Sequence, residues 1–202
     1  MERVFYFFRH GETNWNAQGR IQGSTDIPLN DKGREQARAL AENIAKLKVE
    51  AIWTSDLMRA KETGEIVASA LGIPMREDRR LRECHYGEAE GMHSEDIRKK
   101  FGEDLWHKLR HPGNFDCGFP NGETKQEVVN RVMESLREIK TITDNRIMAI
   151  STHGGVVRNL IFQILGDKME KVPIPNGVVY KFICFDSGST NLNWKVEGPI
   201  EF

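Results

Sequence analysis

Two buried strand patterns that each run into a histidine-glycine pair constrain the fold of this chain more than any other feature. Residues 4–8 read Val-Phe-Tyr-Phe-Phe and are soon followed by His10, and residues 147–151 read Ile-Met-Ala-Ile-Ser and are soon followed by His153. Short, almost continuous apolar runs of this kind are typical of strands that a parallel sheet buries on both faces. Both histidines are therefore expected just beyond the carboxyl end of a central strand.

Helix patterns alternate with these strands along most of the chain. They occupy residues 31–47, 55–71 (with Ser55 as the expected N-cap), 94–100, 103–109, a segment that starts with a Thr124–Glu127 capping box, and 156–165. Further strand patterns occupy residues 51–53, the neighbourhood of Met75, 178–185 and 192–196. This alternation predicts an α/β fold: a three-layer sandwich with a mainly parallel sheet and helices on both faces. Because no helix separates the last two strands, we expect an antiparallel edge strand there.

Composition narrows the class of protein. The chain of 202 residues has 29 Lys and Arg and 30 Asp and Glu, which gives a net charge of −1. It therefore lacks the excess of positive charge that a general nucleic-acid binder carries. No apolar window reaches the length that a membrane span needs. Three widely spaced cysteines cannot complete a disulfide framework, so a reducing, cytoplasmic compartment is expected. We expect one domain over residues 1–202, with a variable, cap-like segment around 88–122, as a monomer or a homodimer.

Chemically active side chains follow the carboxyl ends of four predicted strands. Arg9 and His10 follow the first strand, Arg59 follows the second, Glu83 follows the third and His153 follows the fourth. In open α/β sheets, ligands bind beyond the carboxyl ends of the strands, and these ends share one edge of the sheet. The sequence thus predicts that two arginines, two histidines and a glutamate converge on a single site.

The motifs around these residues occur together and in one order over residues 4 to about 160. They are Phe8-Arg9-His10-Gly11-Glu12-Thr13-x-x-Asn16 with Gln22-Gly23, Ser55-Asp56-Leu57-x-Arg59-Ala60-x-x-Thr63, Leu81-Arg82-Glu83, and Ser151-Thr152-His153-Gly154-Gly155. As a set they resemble the histidine phosphatase superfamily, which includes cofactor-dependent phosphoglycerate mutase and fructose-2,6-bisphosphatase. The resemblance covers most of the chain.

The resemblance implies an enzyme that acts on a small phosphorylated metabolite. His10 would be the nucleophile that forms a phosphohistidine, and Glu83 would protonate the departing alkoxide. The residues implied in binding phosphate or substrate are Arg9, Gly11, Asn16, Gln22, Gly23, Arg59, Glu83, His153 and Gly154. No metal and no cofactor is expected, because arginine and histidine side chains would supply the positive charge.

Structural alternatives exist for several of these residues. Arg59 could pair with Asp56 instead of a ligand, and Glu83 could belong to a solvated charge cluster with Arg80 and Arg82. A zinc site would draw on His10, Cys84, His85 and His153, although no pair among them has the spacing of metal ligands.

Three functions remain open: a phosphatase, a phosphoglycerate mutase, and a phospho-ligand binding module without turnover. The interval of 70 positions from Glu83 to His153 is short for a mutase, whose longer insertion helps to close the site. Pro120-Asn121-Gly122-Glu123-Thr124 and Glu83-x-His85-x-Gly87 are more similar to the broad-specificity phosphatase branch of the family. Ala89 departs from that branch, which commonly has tryptophan there. A metal-independent phosphomonoester hydrolase is the preferred prediction.

Overall fold

A mixed, six-stranded sheet forms the centre of the protein. The computed structural model describes residues 2–166, 172, 174–185 and 193–202. The strands, in chain order, are β1 (Glu2–Arg9), β2 (Ala51–Thr54), β3 (Met75–Glu77), β4 (Ile147–Thr152), β5 (Val179–Phe185) and β6 (Asn193–Glu197). Their spatial order is β3-β2-β4-β1-β5-β6. The first four strands of this order are parallel, whereas β5 is antiparallel to β1 and β6 is antiparallel to β5.

Helices cover both faces of this sheet, so the expected three-layer α/β sandwich is confirmed. They are α1 (Asn14–Ala17), α2 (Asp31–Ala45), α3 (Met58–Leu71), α4 (Ser94–Phe101), α5 (Glu103–Arg110), α6 (Lys125–Ile142) and α7 (Gly154–Leu165). The apolar cluster on one face joins the sheet to α6 and α7, and the cluster on the other joins it to α2 and α3. Strand β1 contributes Phe5 and Phe7 to the first cluster and Phe8 to the second, because successive side chains of a strand point to opposite faces.

The element boundaries follow the sequence patterns with two differences. The capping box at the start of α6 is confirmed, since Thr124 and Glu127 exchange side-chain and backbone hydrogen bonds. Ser55, however, does not cap α3: the N-cap residue is Leu57, which has no side-chain cap. The antiparallel edge also extends further than expected, because β5 opposes β1 as well as β6. The start of the last predicted strand, Leu192, lies outside the described residues.

The segment around residues 88–122 builds a small apolar cluster of its own. Its buried members are Ala89, Ile97 and Phe119, and residues of α4 and α5 pack around them. Residues 111–122, expected to be a loop, contain no helix or strand. Tyr86 joins it to the cluster between the sheet, α6 and α7, because its ring packs against both. In the described part of the chain, no helix has both the length and the apolar character needed to cross a bilayer.

Candidate active site

The carboxyl ends of the parallel strands bring the candidate residues to one edge of the sheet. Arg9 is the last residue of β1 and His10 follows it, while His153 links β4 directly to α7. Arg59 lies in the first turn of α3, just after β2. Strand β4 is the direct neighbour of β1 in the sheet, so His153 lies close to His10. Their rings meet edge to face, with their centroids 5.2 Å apart.

His10 is held in the orientation that a nucleophile needs. Its Nδ1 lies 2.6 Å from the carbonyl oxygen of Gly11. A carbonyl can only accept, so Nδ1 carries the proton and Nε2 keeps its lone pair. In the described part of the chain Nε2 has no hydrogen-bond partner. The amide of Asn176 donates to the backbone oxygen of His10 at 2.8 Å and steadies the loop.

Burial and positive charge keep this imidazole neutral. The pKa of His10 is well below its usual 6.5, first because the ring is buried and then because Arg59 and Arg9 oppose a further positive charge. The same causes, burial first and then Arg59, lower the pKa of His153. A neutral imidazole with a free Nε2 can attack an electrophile without first losing a proton.

Two arginines supply the positive charge of the site. Arg59 is fully buried, and its two terminal nitrogens donate to the backbone oxygens of Thr25 and Gly23. Burial lowers the pKa of Arg59 to about 10, and the nearby carboxylate of Glu83 partly offsets this effect, so the group remains charged at neutral pH. Arg9 donates to the backbone oxygen of Ile174. Arg59 does not pair with Asp56, whose carboxylate instead receives two hydrogen bonds from Arg82.

Three buried side-chain nitrogens in this cluster have no hydrogen-bond partner. They are Nε of Arg9, Nε of Arg59 and Nδ1 of His153. Nε2 of His153 lies 2.9 Å from the hydroxyl of Ser55, so the opposite side of the ring is already occupied. An unpaired buried donor costs roughly 1–3 kcal/mol, and such groups are rare unless a ligand satisfies them. Two of the three belong to cations, so an anion is the ligand that fits them.

Glu83 lies beside the arginines and is fixed by backbone groups. Its two carboxyl oxygens accept from the N–H groups of Cys84 (2.9 Å) and Gly155 (3.0 Å). Glu83 forms no ion pair with Arg80 or Arg82 in the described part of the chain, because Arg80 pairs with Asp78 and Arg82 with Asp56. The solvated cluster considered from the sequence is therefore not the arrangement of these residues.

Gly11, Asn16 and Gln22, three further predicted binding residues, lie in the segment that follows His10. Gly11 lies so close to the backbone of α2 that a Cβ there would clash with the carbonyl oxygen of Gly33, and its N–H donates to Thr63. The side-chain oxygens of Asn16 and Gln22 accept hydrogen bonds from Thr13. The side-chain amide nitrogens of Asn16 and Gln22 form no hydrogen bond with any residue that the structure describes.

Gly23 and Gly154 both permit close approaches. Gly23 has a positive φ and lies against Glu90, so a side chain there would be strained and would displace that carboxylate. Gly154 opens α7 beneath the guanidinium of Arg9, with only 3.4 Å between a hypothetical Cβ and Arg9 Nε.

Sequence reasoning missed several residues that position the site. Ser55, assigned as a helix cap, instead bonds to His153. Arg131, on α6, donates to the backbone oxygens of Arg80, Arg82 and Glu83, which holds the segment that carries Glu83. Glu90 accepts from Ser24 and Thr25 and so anchors the loop whose carbonyls hold Arg59. Only Ser55 left a signal, as a polar residue directly after a buried strand.

The protonation of the two buried histidines gives a direct test of this electrostatic arrangement. We expect the ring nitrogen resonances of His10 and His153 to stay constant between about pH 8 and 6, whereas a histidine in an unstructured peptide titrates near 6.5. The reason is that folding lowers both pKa values. Below about pH 6.5 these two histidines take up protons in the unfolded chain but stay neutral in the folded chain. Both histidines therefore lower the free energy of unfolding as pH falls. A midpoint near 6.5 for either ring, measured by NMR, would contradict this arrangement.

Comparison with known protein families agrees with this geometry. The model of the histidine phosphatase superfamily (branch 1) matches residues 5–197. The chain therefore belongs to the histidine phosphatase superfamily, as the motifs predicted. It is 38% identical to the uncharacterized phosphatase PhoE of Bacillus subtilis (strain 168) over 162 residues, which cover 80% of this chain and 77% of PhoE. It is 37% identical to the probable phosphoglycerate mutase GpmB of Serratia proteamaculans (strain 568) over 161 residues, which cover 80% of this chain and 74% of GpmB.

Solved structures share the whole fold. YhfR of Bacillus stearothermophilus is 32% identical, with a TM-score of 0.82 and coverage of 98% of both chains. A mycobacterial glucosyl-3-phosphoglycerate phosphatase in complex with VO3 is 26% identical, with a TM-score of 0.81 and coverage of 97% of this chain and 98% of the other. Relatives of this chain thus carry both phosphatase and phosphoglycerate mutase names.

Proposed function

We propose that this protein is a metal-independent phosphomonoester hydrolase that works through a phosphohistidine on His10. One observation carries the proposal: buried side-chain nitrogens of Arg9, Arg59 and His153 lack partners, and these residues lie near an imidazole whose Nε2 is free. A phosphate monoester carries close to two negative charges and accepting oxygens, and therefore suits these donors.

In the first step, Nε2 of His10 attacks phosphorus in line with the ester bond. The N–P bond forms as the bond to the alkoxide oxygen breaks, and the non-bridging oxygens accept from Arg9, Arg59 and His153. These donors stabilise charge on the transferring group and need no reorganisation at the moment of reaction. Because Gly11 accepts from Nδ1, it also stabilises the positive charge that His10 gains as a phosphohistidine.

Glu83 acts on the leaving group and then on water. As the alkoxide departs, the carboxyl group of Glu83 gives it a proton. The resulting carboxylate takes a proton from a water molecule, which attacks the phosphohistidine, releases phosphate and restores His10. The hydrogen bonds from Cys84 and Gly155 fix the plane of the carboxyl group.

A phosphoglycerate mutase is the second candidate, because GpmB, a probable phosphoglycerate mutase, is 37% identical to this chain. The deciding experiment incubates the purified protein with several phosphomonoesters and, separately, with 3-phosphoglycerate primed by 2,3-bisphosphoglycerate. We expect release of free phosphate from several esters and little formation of 2-phosphoglycerate. Efficient interconversion with negligible phosphate release would make the protein a mutase, and failure of both reactions would favour a binding module.

Chelation tests the proposed independence from metal. Among the described residues, no three His, Cys, Asp or Glu side chains are grouped so that they could hold a metal ion. We expect turnover of p-nitrophenyl phosphate to stay within about twofold after exhaustive dialysis against EDTA, since the arginines supply the charge that a metal would otherwise provide. Loss of activity that Mg²⁺ or Zn²⁺ restores would contradict this expectation.

A further inference from the structure

A cavity of about 460 Å³ lies next to the segment that carries Glu83, since Cys84 and Tyr86 are in its wall. Gly155 lies in its wall, and the N–H of Gly155 holds the Glu83 carboxylate. A Cβ on Gly155 would lie 2.3 Å from Oε1 of Glu83 and 2.7 Å from the hydroxyl of Tyr86, which also lines the cavity. The cavity wall therefore includes residues that contact the proposed proton donor, near which the alcohol part of a substrate would leave.

One part of the cavity wall is apolar. It is lined by Leu109 of α5, Phe119 of the following loop and Phe162 of α7. Its volume lies within the range of about 300–1,000 Å³ that is usual for sites of small molecules. A ring or a short hydrocarbon would bury its surface here.

Another part of the wall is cationic and lacks compensating charge. Arg110, Lys125 and Arg158 all line the cavity, and no ion pair to any of them is formed within the described residues. The carboxylate of Glu123 also lines it, but that group is bound to Arg131. Up to three positive charges thus face the cavity without a matching negative one.

Arg158 links the cavity to the phosphate site electrostatically. Burial is the main reason that the pKa values of Lys125 and Arg9 are lowered, and the charge of Arg158 lowers both further. Arg158 is therefore near both groups, although its own side chain is exposed. Next to it on α7, Asn159 is 6% exposed, lines the cavity and has no side-chain hydrogen bond within the described chain. An amide in that position can donate to an oxygen anion or accept from a hydroxyl.

We propose that this cavity selects phosphomonoesters whose alcohol part combines an apolar body with a second anionic group such as a carboxylate. The apolar body packs on Leu109, Phe119 and Phe162, and the anion binds at Arg158 and Arg110, with Lys125 beside them. This inference rests on the proposed hydrolysis at His10, because it names the portion of the substrate beyond the ester oxygen.

Matched substrates test the proposal. The probes are 3-(4-carboxyphenyl)propyl phosphate and its carboxamide, which differ only in charge at the far end, so the ester oxygen is equally reactive in both. We expect kcat/KM of the wild-type protein to be about tenfold or more higher for the carboxylate, as for a charge-assisted hydrogen bond. Arg158→Gln and Arg110→Gln should each reduce this ratio, and the double variant should bring it close to one. Both side chains are exposed, so these variants are expected to fold.

The control is Arg137→Gln, an exposed arginine of α6 outside the cavity, which should leave the ratio unchanged. A second measurement does not depend on turnover: calorimetric binding of the two phosphonates in which CH2 replaces the ester oxygen. If the protein hydrolyses and binds both members equally, the cavity proposal is overturned and the hydrolase stands. If the carboxylate phosphonate binds more tightly but neither ester is hydrolysed, the cavity proposal stands and the hydrolase fails.

Discussion

Replacing His10 by alanine is expected to lower turnover of every phosphomonoester by roughly 10⁴-fold or more, the scale seen when an enzyme loses its nucleophile. The buried imidazole is neutral and presents a free Nε2, and in the described part of the chain no second histidine has this arrangement. With the wild-type protein, brief incubation with substrate and a quench without acid should leave a phosphoryl group on His10. The label should be labile to acid and stable to base.

His107→Ala is the matched control, since the His107 side chain is 76% exposed on α5. It should retain both the label and full turnover. Circular dichroism and thermal unfolding of His10→Ala would show whether the fold survives the loss of a buried ring. A folded His10→Ala protein with near-normal turnover would refute the phosphohistidine mechanism.

Replacing Glu83 by glutamine is expected to slow phosphorylation of His10 by alkyl phosphates by roughly 10²- to 10⁴-fold. An alkoxide is a strong base and departs slowly without a proton, whereas nitrophenolate is a weak base and needs little help. Phosphorylation by p-nitrophenyl phosphate should therefore fall far less. The rates must be followed in single turnover, because in the proposed mechanism Glu83 also serves hydrolysis of the intermediate, which would mask the contrast at steady state.

The p-nitrophenyl phosphate rate also reports the structural cost of this substitution. A glutamine can offer only one acceptor oxygen, so one of the two backbone N–H groups, of Cys84 or Gly155, loses its partner. Any damage from that loss slows both substrates alike, whereas loss of the proton donor slows the alkyl phosphate selectively. Glu88→Gln, at an exposed carboxylate on the same segment, should change neither rate. Equal small losses for both substrates with Glu83→Gln would move the acid role to another residue, and Glu12 or His85 would be tested next.

The convergence of His10, Arg59 and His153 could be predicted because it depends on the direction of the strands and not on their order in the sheet. A buried apolar run specifies a central strand, and parallel strands bring their carboxyl ends to one edge whatever their lateral order. The sequence also placed Glu83 in the loop after the third strand. It could not show what each of these side chains touches, because such contacts join residues that are distant along the chain.

Ser55 and Arg131 illustrate this limit. Ser55 stands two residues before the N-cap of α3 in a pattern that favours capping, yet its hydroxyl bonds to His153, 98 residues away. Arg131 is one charged residue on a long amphipathic helix, and its three hydrogen bonds to the Glu83 segment follow only from how α6 packs on that segment. The local sequence pattern indicates the type of secondary-structure element. The packing of the elements determines which residues each side chain contacts.

The sequence by itself determined the α/β sandwich, the edge at which the site lies and the family of the protein, because each of these depends on short apolar runs and on motifs next to them. Only the tertiary structure decided the tautomer of His10, the unpaired nitrogens of Arg9, Arg59 and His153, and the cationic cavity beside Glu83. The physical reason is that these features depend on distances of a few ångströms between separate segments. Such distances are set when the helices pack on the sheet and exclude water from the polar groups between them.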